Sequence, residues 1–143
     1  MVKEPMGRSY TWTVKNFAAQ KRHPSISSDQ FIVEGRKWKL QLYPCGDSSE
    51  KDRSLSLFLV LADFADLTPL ARKIYAKFLL RVLDRVNNEH HEEQVEQFFH
   101  SSSCCSGNSK FMSLAQLESV SKGFLVDDSL IVEVEFKLLS KFS

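Results

Sequence analysis

Residues 130–138 read Leu-Ile-Val-Glu-Val-Glu-Phe-Lys-Leu, in which Leu130, Val132, Val134, Phe136 and Leu138 alternate with Ile131, Glu133, Glu135 and Lys137. A period of two sustained this long marks a strand with one face in a core and the other in water. The same period recurs along the chain. Tyr10, Trp12 and Val14 alternate with Thr11, Thr13 and Lys15. Phe31 to Val33 is followed by Glu34-Gly35-Arg36-Lys37 and then by Trp38, Leu40 and Leu42 alternating with Lys39 and Gln41, which predicts a hairpin with Gly35 supplying a positive φ. Leu55, Leu57, Leu59 and Leu61 alternate with Ser56, Phe58 and Val60, so an aromatic ring falls on the less apolar face. Gln94, Glu96 and Phe98 alternate with Val95, Gln97 and Phe99, which puts Phe98 on a polar face. Glycines and prolines fall between these runs, as turn punctuation does.

Two segments read less cleanly. Thr68-Pro69 resembles a helix start, and Leu70, Ile74, Phe78 and Val82 recur every fourth residue, yet Phe78, Leu80 and Val82 also alternate. Helix and strand over residues 76–85 both remain open on periodicity, and the face of Phe78 is unassigned. Residues 101–109 hold five Ser, two Cys, one Gly and one Asn, which predicts a mobile loop. Residues 114–118 predict a single helical turn with Ser113 as N-cap.

Composition narrows the class of protein. The 143 residues are 43% hydrophobic and 26% charged, with a net charge of +1, as expected of one folding domain and not of a disordered chain. A near-neutral sum gives no general attraction to a polyanion. The longest apolar run, Leu57 to Ala62, is far too short for a membrane span, and the first twenty residues show no signal-peptide core. Three Cys, two of them adjacent, do not make a disulfide framework, so a cytoplasmic or nuclear setting is expected. Charge is uneven: residues 1–86 carry 15 basic and 9 acidic groups (+6), residues 87–143 carry 4 and 9 (−5). In a sandwich whose first and last strands interleave, such halves complement each other.

No chemistry-bearing constellation emerges. His90, His91, Glu92, Glu93, His100, Cys104 and Cys105 offer metal-ligand types, but not the paired spacing of structural zinc sites. Cys104 and Cys105 lack a neighbouring base, and Asp127-Asp128 predicts a turn. No phosphate-binding loop or nucleophile elbow is present. No catalytic, metal or cofactor residue is therefore expected, and the protein is not expected to be an enzyme.

The strand-borne residues resemble the MATH (meprin and TRAF homology) domain family, in the form abundant in plants. Trp12-Thr13-Val14-Lys15-Asn16-Phe17 is similar to the family's opening motif. Phe31-x-Val33-x-Gly35-x-x-Trp38-x-Leu40-x-x-Tyr43-Pro44-x-Gly46 follows its central hairpin. Leu55-Ser56-Leu57-Phe58-Leu59 resembles a Leu-Ser-Leu-Tyr-Leu strand, and residues 123–135 resemble the closing strand. The resemblance implies an all-β fold: an eight-stranded antiparallel β-sandwich with a short helical turn, tails at 1–8 and 141–143, and the domain at 9–140. It also makes residues 76–85 a strand and 68–73 a connection.

The implied function is non-catalytic binding of an extended peptide or partner protein on a sheet face. By position the groove aromatics correspond to Phe58, Phe78 and Phe98. Self-association, or a substrate-adaptor role in a ubiquitin-linked pathway, are the alternatives. One departure bears on the groove: the family's Asp-Trp-Gly-Phe is replaced by Cys105-Ser106-Gly107-Asn108, so two rings of one wall are missing. Likewise Leu70-Ala71 stands where plant members often carry Gly-Trp.

Overall fold

The computed structural model describes residues 8–63, 73–100 and 102–142. The elements run β1 (Ser9–Val14), α1 (Phe17–Gln20), β2 (Ile26–Ser27), β3 (Phe31–Val33), β4 (Arg36–Tyr43) and β5 (Ser54–Leu61). They continue with β6 (Lys73–Val82), β7 (His91–Phe99), β8 (Cys105–Ser113), α2 (Leu114–Leu117) and β9 (Leu130–Phe142). One sheet has the order β1-β9-β6-β7, and the other β2-β4-β5-β8 with β3 added beside β4. Every pairing is antiparallel. The result is the all-β sandwich expected, with nine described strands in place of eight; the two-residue β2 is too short to leave a periodic signal. The expected connection at 68–73 lies, but for Lys73, outside the described residues.

Both sheets turn their apolar alternates inward. Trp38, Leu40 and Leu42 of β4, Leu55, Leu57, Leu59 and Leu61 of β5, and Leu130, Val132 and Val134 of β9 are all fully buried. The β3–β4 hairpin turns on Glu34 (φ 53°) and Gly35 (φ 73°), two consecutive positive φ values that match the strands' twist. Residues 73–82 form a strand because β9 and β7 flank them with a ladder on each side, while Ile74, Ala76, Phe78, Leu80 and Val82 all reach the core. A helix would satisfy its own backbone but leave the edges of both neighbours unpaired. Ser113 does cap α2, its Oγ accepting the Gln116 N–H at 3.1 Å.

The expectation of a mobile loop over 101–109 is corrected. Cys105 to Asn108 pair with Leu57 to Val60 of β5, so the segment is strand from Cys105 onward. Its small residues serve close backbone approach, a demand composition alone does not reveal. The interleaved charge halves meet across the first sheet, where Arg81 reaches Glu92 at 2.9 Å, Glu133 at 2.5 Å and Glu135 at 3.0 Å.

Beyond β6 the buried Asp84 ties two connections together. Its Oδ1 accepts the N–H groups of Asn87 (2.9 Å), Val86 (3.0 Å) and Gly123 (2.9 Å). These bonds, the Asn87 N–H foremost, hold its carboxyl below the ordinary value even though burial opposes the charge. A carboxyl lowered on folding contributes stability above its unfolded pKa of about 4, and that contribution is lost as pH falls through the folded value. Asp84→Asn is therefore expected to lower the urea midpoint at neutral pH and to flatten its decline below about pH 4. Parallel pH profiles for wild type and variant would show that Asp84 carries none of the acid sensitivity.

A candidate partner-binding face

Along β5, Ser54, Ser56, Phe58 and Val60 point away from the core, and on β4 Lys37, Lys39, Gln41 and Tyr43 do the same. Tyr43 pairs with Ser56 and Gln41 with Phe58, so Tyr43 and Phe58 are diagonal neighbours. Their rings meet edge to face at 5.7 Å. Both are partly exposed, giving a small aromatic platform on the outer face of the β2-β4-β5-β8 sheet. The sequence reading missed Tyr43, although the alternation of β4 already puts it on the outward side with Lys39 and Gln41.

One margin of the platform is closed by the β4–β5 loop. Ser56 Oγ accepts the Asp47 N–H at 3.0 Å and donates to the Ser109 carbonyl at 2.7 Å. Asp47 in turn accepts from Ser109 Oγ at 2.6 Å and Ser49 Oγ at 2.8 Å. The Ser109 and Ser49 hydroxyls hold the Asp47 carboxyl below its usual range. Gly107 lies opposite Phe58 on β8. A Cβ there would sit 2.1 Å from the Leu57 carbonyl oxygen and 2.7 Å from Phe58 Cα, so only glycine permits this approach.

The three sequence-nominated aromatics do not come together. Phe78 is fully buried and packs against Phe99 (6.3 Å) and Phe136 (6.2 Å), so it is a core residue and leaves the candidate set. The reason is parity: even-numbered residues of β6 face the core, and a Phe among them gains more from burial than from water. Phe98 is 50% exposed but belongs to β7, in the other sheet. It pairs with Tyr75, ring centroids 5.0 Å apart, beside Leu138, which is 47% exposed. Phe58 and Phe98 therefore look outward from opposite sheets, and no single sheet face carries both.

Of the two positions that lack the family's rings, Asn108 makes a different contact. Ser106 and Asn108 pair with Leu59 and Leu57, hence point to the inner side of β8 at its margin. There Asn108 Nδ2 donates to Glu93 Oε1 at 2.7 Å, stitching β8 to β7. His91 Nε2 lies 2.6 Å from the Phe111 carbonyl, which requires the Nε2–H to donate, and Gln97 Nε2 donates to Ser103 Oγ at 2.8 Å. His90 Nδ1 accepts the Asp84 N–H at 2.9 Å, and His100 Nδ1 accepts that of Ser102 at 3.3 Å. The three histidines and Glu93 of this region are thus engaged in hydrogen bonds. Among the described residues no three or more His, Cys, Asp or Glu side chains gather as a metal site would require. None of the three cysteines is in a disulfide.

The two-sheet antiparallel sandwich is a TRAF-like fold. Among solved structures it is similar to TRAF5 of Notothenia coriiceps, with a TM-score of 0.70 and 21% identity over 92% of this chain and 74% of that one. That likeness speaks to fold alone. The sequence pattern of the MATH domain matches residues 9–136, and this chain belongs to the MATH domain family, a family of protein-interaction domains. It is 31% identical to ubiquitin C-terminal hydrolase 12 of Arabidopsis thaliana and 34% identical to a MATH domain and coiled-coil domain-containing protein of the same plant. Each alignment covers 92% of this chain, which spans 12% of the hydrolase and 47% of the coiled-coil protein. Among the described residues no helix is long and apolar enough to cross a membrane.

Proposed function

We propose that the domain binds an extended segment of a partner protein on the outer face of the β2-β4-β5-β8 sheet, with Phe58 and Tyr43 as anchors and no catalytic step of its own. The observation that carries this reading is the edge-to-face Tyr43–Phe58 pair, partly exposed on a sheet whose other outward residues are mostly polar. Exposed aromatics with rigid backing are the usual energetic centre of an interface. With Asn108 committed to Glu93, the wall supplied elsewhere by rings is absent, so the ligand rests on a shallower surface.

The test is capture of partners from a cell extract by wild type, Phe58→Ala and Phe98→Ala, read by quantitative mass spectrometry. Phe58→Ala is expected to lose specific partners by about tenfold or more, as truncation of an interface anchor does. Its melting temperature should fall by no more than about 5 °C, since the ring is only half buried. Phe98→Ala, on the opposite sheet, should capture as wild type does. Undiminished capture by Phe58→Ala would refute the assignment.

A second reading draws on the exposed Phe98 and Leu138 and the partly exposed Tyr75 of the other sheet, a patch suited to self-association. Concentration-dependent mass in sedimentation, abolished by Phe98→Ala, would favour it. An adaptor role in a ubiquitin-linked pathway, in the cytoplasm or nucleus, belongs to the proposal through the relatives named as ubiquitin hydrolases.

A further inference from the structure

Next to the aromatic platform, where the chain leaves α1 and where β4 passes into its loop, lies a cleft of about 440 Å³. Lys21, Arg22, His23, Tyr43, Asp47 and Lys51 are among the residues that line it. Tyr43 is common to the cleft and the platform, so the two surfaces are continuous.

The cleft's charges are not balanced from within. Lys21 pairs with Glu118, and the Asp47 carboxylate is turned to the Ser109 and Ser49 hydroxyls. Arg22 and Lys51 are exposed and have no ion pair among the described residues; His23 adds a third exposed donor group. Arg22 Nε donates to the Ala19 carbonyl at 3.4 Å, and two cations without an ion pair lining one concave surface attract anionic groups over roughly a Debye length and restrict where they settle. Single surface cations are commonplace, but here they converge on one depression that opens onto an aromatic anchor.

We propose that this cleft selects partner segments in which an apolar residue, seated on Phe58 and Tyr43, is followed by closely spaced anionic side chains held by Arg22 and Lys51. The inference rests on the sheet-face reading above and adds the ligand's charge to it. Carboxylates and phosphorylated side chains share the chemistry, and the experiment separates them.

The probes are three fluorescein-labelled peptides that share a leucine followed by a run of glutamates, of phosphoserines or of serines. Binding is measured by anisotropy at low salt to wild type, to Arg22→Glu/Lys51→Glu and to Phe58→Ala. The glutamate or the phosphoserine peptide should bind about tenfold tighter than the serine peptide, and whichever does so identifies the anion. The double charge reversal should erase that margin while leaving the serine peptide's affinity and the melting temperature unchanged. A margin that survives charge reversal, equal binding of all three peptides, or no measurable binding of any would overturn the inference. Phe58→Ala should weaken all three peptides alike. If it weakens none while charge reversal still erases the margin, the sheet-face reading fails and the cleft's preference for anions stands separately.

Discussion

Trp38→Ala should lower the domain's stability by about 3–5 kcal/mol, the largest loss expected of any single substitution considered. Trp38 is fully buried at the middle of the core, where it meets Phe99 edge to face at 5.2 Å and Phe136 at 5.2 Å. It touches both sheets: the residue belongs to β4, its two ring partners to β7 and β9. Its Nε1–H also donates to the Val33 carbonyl at 3.3 Å, tying β4 to the β3 arm that precedes the Glu34-Gly35 turn. Alanine removes the ring contacts and this hydrogen bond and opens a cavity at the centre of the core. A loss of that size corresponds to a melting temperature lower by roughly 10–20 °C for a domain of this length. Trp38→Phe keeps an aromatic body and should cost about half as much. Urea unfolding followed by circular dichroism reads both values, and a Trp38→Ala midpoint near that of wild type would mean that the inter-sheet core is held elsewhere.

Gly107→Ala should come next, at about 1–3 kcal/mol, because the added methyl meets backbone and not a yielding side chain. At 2.1 Å from the Leu57 carbonyl oxygen and 2.7 Å from Phe58 Cα, it forces β8 away from β5. The strain falls where β8 is also bridged to β7 by Asn108 and Glu93, so the strand has little room to move as a unit. Stability and partner capture should decline together in this variant. That distinguishes it from Phe58→Ala, in which capture falls and stability is nearly kept. Hydrogen exchange of the β5 and β8 amides gives the local readout, and unchanged protection alongside unchanged melting would contradict the close approach.

The two substitutions also mark how far the chain could be read in one dimension. Period-two alternation placed β1, β4, β5, β7 and β9, because a strand with one wet face writes its geometry directly into residue order. Glu34-Gly35 marked the hairpin and Ser113 the cap of α2, both through short-range backbone demands. Residues 76–85 were ambiguous because the same apolar spacing suits a helix and a buried central strand, and the strand found there runs from Lys73 to Val82. Only the ladders offered by β7 and β9 decide between them.

The candidate face divides the same way. Alternation along β5 already puts Phe58 on the wet side of its strand, and the resemblance to the MATH family implied the antiparallel sandwich. Tertiary structure alone decided that Phe78 is core, that Phe98 belongs to the opposite sheet, and that Tyr43 and not either of them is the neighbour of Phe58. It also converted the serine-rich stretch after His100 into β8 and brought Arg22 and Lys51 to one cleft. Alternation reports which side of its own strand a residue occupies; which sheet that strand joins is set by long-range pairing, and no local pattern encodes it.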